Sequence, residues 1–139
     1  MNFALEAWRL VSGRKAGVLA TMSTRHPGWP YPAMMPYALN SAGRPLFPIS
    51  TLAAHTQDLL ADPRAALMGL VSPIPPEERL AARTAYVQKF PEAEMWADFG
   101  DFEFYSLEPM DIHYVGGFGA AGWISAADYF SAFGTNPSD

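Results

Sequence analysis

The sequence contains no cysteine. That absence excludes disulfides, thiolate nucleophiles, zinc–thiolate centres and cysteine-ligated iron–sulfur clusters. Charge is sparse as well. Only 17% of the 139 residues are Asp, Glu, Lys or Arg, and nine basic residues face fourteen acidic ones, for a formal net charge of −5. A nucleic-acid binder would normally present a basic face, so no nucleic-acid partner is expected. A phosphate ligand stays open, because a local site can differ in sign from the whole molecule. No apolar run reaches the length of a membrane span, so no membrane partner is expected either. His26, His55 and His113 lack metal-ligand spacing, and no metal site is expected. Residues 1–13 hold Glu6 and Arg9 inside a helical pattern. They do not read as a signal peptide, and a cytoplasmic location is the default expectation.

What is present is a globular composition: 50% hydrophobic residues and a high aromatic share of 14%. The length fits one domain over residues 1–139. Phe3, Ala7, Leu10 and Val11 form one helical stripe; Leu5 and Trp8 fall off it, which leaves room for a second apolar contact. Asn2 is placed to cap this helix and Gly13 to end it. Strand patterns follow over 16–22, 31–39 and 46–50. Pro32 and Pro36 cannot donate to a ladder, so their strand must be an edge, be bulged or lie beside a ligand. A helix is expected over 52–61, stopped by Asp62 and Pro63, then a short apolar strand over 64–71. Glu77 and Glu78 open a helix running to Phe90, and a short one follows from Pro91 to Trp96. Residues 102–107 and 112–115 read as the last two strands. Ser125 caps a terminal helix. Strands first, then helices, then strands is not the alternation of a parallel α/β fold; it fits a small antiparallel barrel with helical insertions.

Three stretches could carry chemistry. In Leu46–Leu67 a strand ends at Ser50 and a helix begins at once, so unpaired N–H groups and the helix dipole offer an anion site. Ser50, Thr51, His55 and Thr56 add donors, and a phosphate is the natural guest. The plainer reading, that Ser50 and Thr51 cap the helix and His55 faces solvent, ranks ahead on this feature alone. In Pro27–Ser50 the soft side chains of Met34 and Met35 could line a flat ring, although Met is more often core. In Asp111–Trp123, Gly116, Gly117 and Gly119 permit close backbone approach or a tight turn. They do not match a dinucleotide fingerprint. Glu92, Glu94, Asp98, Asp101 and Glu103 read as a solvated acidic face.

Together, "YPAMMPYALNSAGRPLFPISTLAAHTQDLLADPRAAL" and "PEAEMWADFGDFEFYSLEPMDIHYVGGFGAA" resemble the pyridoxamine-5'-phosphate-oxidase-related FMN-binding proteins, and within them the haem-utilisation (HugZ-like) branch. The resemblance covers about residues 14–124. It implies an α+β, mainly β fold: an antiparallel split β-barrel of about six strands with flanking helices, forming a homodimer with FMN at its interface. Carried over by position, Ala33, Met34, Met35 and Pro36 would pass along the flavin. Ile49 and Ser50 would flank its ring and ribityl chain. His55 and Thr56 would stand where related oxidases place a basic pair on the phosphate. Gly116, Gly117 and Phe118 would approach from the other side, from the partner subunit.

Three departures qualify the match. Ala33 stands where relatives often have serine. The middle is short, which leaves room for a strand to be lost or fused. No histidine follows His113 where haem-degrading members carry a further domain, so haem is an unfavoured ligand on this reading. The resulting expectation is an FMN-binding, flavin-dependent oxidoreductase of unknown substrate, with no catalytic residue assigned. The alternatives are a non-catalytic flavin- or haem-binding module and a degenerate barrel without cofactor.

Overall fold

The computed structural model describes residues 2–66 and 69–133. Helix α1 (Phe3–Gly13) opens on the expected cap, with Leu5 N–H donating to Asn2 Oδ1 at 3.1 Å. Its buried face differs from the expected stripe. Ala7 and Trp8 are buried, while Leu10 is 44% exposed. The cause is a two-sided contact: Trp8 packs edge-on against Phe133 and Phe3 lies against Tyr114.

Strand β1 (Ala16–Met22) pairs with β2 (Pro30–Pro36), and β3 (Ala38–Leu39) continues the same run of chain. Next come β4 (Pro45–Ser50), helix α2 (Ala54–Ala61), β5 (Arg64–Ala66) and β6 (Gly69–Pro73). A 3-10 turn at Pro76–Glu78 leads into α3 (Arg79–Lys89), and a 3-10 helix covers Pro91–Met95. Strands β7 (Phe102–Pro109), β8 (Asp111–Val115) and β9 (Ala121–Ser125) precede α4 (Ala126–Phe133).

The main sheet runs β2-β1-β5-β6-β7-β4-β3. Its two outermost strands are halves of one segment, Pro30–Leu39, broken at Tyr37. That segment pairs with β1 through its first half and with β4 through its second, so six stretches of chain curl into a split barrel. Of the placements open to the strand holding Pro32 and Pro36 (edge, bulge or ligand-side), the edge is found: β2 has one neighbour among the described residues. Pro48 is accommodated because β3 pairs with β4 only at Pro45 and Leu46.

No strand is lost in the short middle. The single strand expected over 64–71 is two, with Arg64 opposite Leu70 and Ala65 opposite Gly69. The tip of that pair lies outside the described residues. The end of the chain also differs from expectation. β9, to which the sequence reading assigned no element before the Ser125 cap, pairs with β8 in a separate two-stranded ribbon.

The barrel interior is filled by Leu19, Met35, Phe47, Ile49, Val71 and Leu107, with Leu59 of α2 closing it. Because successive residues alternate sides, Leu46 and Phe104 face the other way, onto Ala82 and Tyr86 of α3. This explains why β4 is buried on both faces. A third cluster joins α1, α4 and the ribbon around Trp8, Ile124 and Tyr129.

Candidate functional site

Alternation along β2 divides the residues expected beside a cofactor. Ala33 pairs with Leu19 and Met35 with Gly17, and both turn toward the interior; Met35 is core. Met34 pairs with Val18 on the outer face, where they are 78% and 58% exposed. Ala16, Ala20, Pro32 and Pro36 flank them on that face. It carries no charge and no hydrogen-bonding side chain. Side chains of Ala33–Pro36 therefore cannot all line one ring; Met34 and Pro36 belong to the outer surface.

The turn after β4 is also not as expected. Neither Ser50 nor Thr51 caps α2. The helix starts at Ala54 behind Ala53, which makes no side-chain cap. The intervening residues form a turn closed by Ala53 N–H to Ser50 O at 3.1 Å and Thr51 N–H to Asp101 O at 2.6 Å. Ser50 Oγ accepts from Leu52 N–H and donates to the Asp101 carboxylate, both at 3.2 Å. Thr56 is buried, and its hydroxyl donates back to Ser50 O at 2.5 Å. Ile49 is buried in the core. Of the expected phosphate donors, the first backbone N–H groups of α2, the exposed Thr51 side chain and the imidazole of His55 remain. Arg64, the nearest cation beyond the helix, pairs with Asp62.

Sequence reasoning missed Asp58, which fixes this helix to the barrel. Asp58 is 3% exposed. Its carboxylate accepts from Thr21 Oγ1 at 2.8 Å, Thr24 N–H at 2.8 Å and Thr24 Oγ1 at 3.0 Å. Burial pushes the carboxyl's pKa up, but these three donors and the nearby His55 outweigh burial and hold it below its ordinary value. For His55, burial lowers the pKa, and the pull of Asp58 offsets only part of that. The folded state therefore favours the neutral imidazole of His55. A neutral ring, with Asp101 close by, suits a phosphate dianion poorly. Within the expected acidic face, Asp98 in fact pairs with Arg83 at 2.8 Å.

Gly116, Gly117 and Phe118 form the tip of the β8–β9 ribbon. Gly116 N–H donates to Ala120 O and Ala120 N–H to Gly117 O, and Gly117 and Gly119 have φ of +133° and +75°. Phe118 is fully exposed. Asp111, His113 and Val115 alternate outward along β8, opposite Ser125, Trp123 and Ala121. The His113 and Trp123 rings stack at 4.7 Å with planes 22° apart, and Trp123 is 63% exposed. Val115 and Phe118 extend this aromatic and aliphatic surface. Among the described residues, no helix is long and apolar enough to cross a membrane.

Residues 61–131 match the CREG β-barrel family. The chain belongs to that family. It is 33% identical over 143 residues to the chloroplastic non-canonical haem oxygenase HOZ of Arabidopsis thaliana, an alignment covering 88% of this chain and 44% of the plant protein. A haem-binding protein from Mycobacterium smegmatis superposes with a TM-score of 0.84 at 26% identity, over 94% of this chain and 61% of that one. A putative pyridoxamine 5'-phosphate oxidase from Listeria innocua gives 0.58 at 15% identity, over 76% of this chain and 92% of that one, which shows shared fold alone. This CREG-family chain therefore spans less than half of the plant relative and about three fifths of the mycobacterial one.

The expected split barrel and its haem-utilisation relationship are borne out. The expectation that haem is an unfavoured ligand is overturned, because relatives are named for haem. That expectation rested on the lack of a histidine after His113. It overlooked His113 itself, which stands on an exposed apolar ribbon that the sequence reading did not recognise.

Proposed function

We propose that this CREG-family barrel binds haem on the outer face of the β8–β9 ribbon, where His113 would hold the iron. One observation carries the reading: an accessible imidazole stacked on the exposed Trp123 ring, with Val115 beside it toward the ribbon tip and Asp111 and Ser125 on its other side. A porphyrin is broad, flat and apolar, and an imidazole nitrogen is a common ligand for its iron. Trp123 holds the His113 ring in one orientation, which limits the freedom lost on binding. The haem names of two relatives support the same ligand. When bound, haem supplies the redox-active iron; this chain's residues bind and orient it. Titration of ferric haem should give a saturable one-to-one Soret change that His113→Ala abolishes and His55→Ala leaves intact. Binding that survives His113→Ala refutes the placement.

A second reading is FMN, with its phosphate against the first N–H groups of α2 and His55. The orphan donors of that helix start favour it. Neutral donors beside Asp101 predict modest affinity and little preference for FMN over riboflavin. A strong preference for FMN, lost in His55→Ala, would move the cofactor to α2. Under either reading, the uncharged outer face of β1–β2 is the homodimer contact, since a monomer would leave Val18 and Met34 in water.

A further inference from the structure

Behind the ribbon, α1, β4, β7, β8 and α4 line a half-open cavity of about 220 Å³. Its walls are apolar, from Val11, Leu107, Pro109 and Ile112, and Asp111 and His113 stand at its rim. One polar group among the lining residues is anomalous. Tyr129 is 2% exposed, and its hydroxyl is buried with no hydrogen-bond partner among the described residues. Burial and the neighbouring Tyr37 push its pKa up to about 12, so it remains a proton donor at any ordinary pH. Tyr37 itself donates to the Val11 carbonyl. A buried hydroxyl without an acceptor is costly, and native folds rarely retain one without a reason.

We propose that this cavity is a binding site for a compact, uncharged ligand of one or two rings that carries a carbonyl or ether oxygen for the Tyr129 hydroxyl. Size sets the scale. An apolar cavity of about 150 Å³ holds benzene, so about 220 Å³ takes a substituted ring or a small bicycle. Charge sets the rest. Among the described residues no Lys or Arg lines the cavity, and Asp111 sits at its rim, so an anion is disfavoured. Haem with its carboxylates and FMN with its phosphate are excluded on both counts. His113 borders both this cavity and the cofactor face proposed above, so the two sites adjoin across the ribbon, but the cavity needs no haem to bind its ligand.

The test uses three probes of similar size on the full chain without added haem: acetophenone, ethylbenzene and benzoate. Binding is followed through methyl resonances of Val11, Leu107 and Ile112. Acetophenone should shift them saturably, ethylbenzene should bind more weakly, and benzoate should not bind. Tyr129→Phe keeps the shape and removes the donor. It should weaken acetophenone by roughly threefold to tenfold and leave ethylbenzene unchanged. Ile112→Trp, filling the cavity from a half-buried wall, should block both neutral probes. The proposal is overturned if acetophenone gives no saturable shift, if it binds Tyr129→Phe equally well, if it persists in Ile112→Trp, or if benzoate competes with it.

Discussion

Removal of the Asp58 carboxylate should unfold the packing of α2 on the barrel more effectively than any surface change. The carboxylate is buried and accepts three hydrogen bonds, two from hydroxyls and one from the Thr24 backbone. In Asp58→Ala all three donors lose their acceptor. Thr21 retains a poor contact, 3.4 Å to the Tyr31 carbonyl, and it is 1% exposed, so water cannot replace the partner. Hydrogen bonds to a charged acceptor and the exclusion of water from the stranded donors together set the loss at about 3 kcal/mol. Asp58→Asn keeps one accepting oxygen for Thr24, and Thr21 can turn to accept from the new amide, so about 1 kcal/mol is expected. The pH dependence follows from the sign of the shift. The folded carboxyl titrates below its unfolded value near 3.9. The stabilisation is therefore complete above about pH 5 and disappears as pH falls through the folded pKa. Urea denaturation of wild type, Asp58→Ala and Asp58→Asn at fixed protein concentration, repeated from pH 7 to pH 3, measures both effects. An Asp58→Ala protein within 0.5 kcal/mol of wild type at pH 7 (about the reach of a neutral surface substitution) would refute this account of the helix. So would a gap between wild type and Asp58→Asn that does not shrink below pH 4.

His55 has a lowered pKa, so the folded state favours its neutral form, and stability should decline as pH falls below about 6.5. His55→Gln should flatten that limb in the same urea series. Gly43 has φ of +84°, and a Cβ there would lie 2.9 Å from the Phe133 ring. Gly43→Ala should cost about 2 kcal/mol, read as a lower thermal midpoint by circular dichroism. Met34→Lys, on the uncharged outer face, should shift sedimentation from dimer to monomer with unchanged far-ultraviolet circular dichroism; a dimer that persists places the contact elsewhere.

Local patterns made most of the barrel legible. β1 occupies the expected residues, Asn2 caps α1, and Ser125 caps α4 through Asp128 N–H at 3.1 Å. Each is decided by neighbours in sequence. The two prolines of β2 limited it to an edge, a bulge or a ligand's side because a missing donor is a local fact with a topological consequence. Asp58 was invisible because its role depends on Thr21, 37 positions away. Nothing in Gln57–Asp58–Leu59 distinguishes an acid turned inward from one in solvent. Trp8, off the main stripe of α1, makes the second apolar contact that its position left open, against Phe133, whereas Leu10 on the stripe is largely exposed.

The ribbon shows how one missed strand alters a functional reading. Ala121–Ser125 is five residues long, and Gly122 weakens its strand signal. Yet the turn before it was recognised, and a glycine-rich turn after a strand implies a returning partner. Pairing Asp111 with Ser125 fixes the rest, because alternation then puts His113 opposite Trp123 on the face away from α1. Without β9, His113 is one of three scattered histidines, and haem looks unsupported. With β9, it is the one imidazole set on an exposed aromatic and aliphatic face of the ribbon, while Ile112 on the opposite side helps wall a cavity against Tyr129. The proposed haem face and the proposed small-ligand cavity thus share one strand pair, and their separate ligands follow from its two sides.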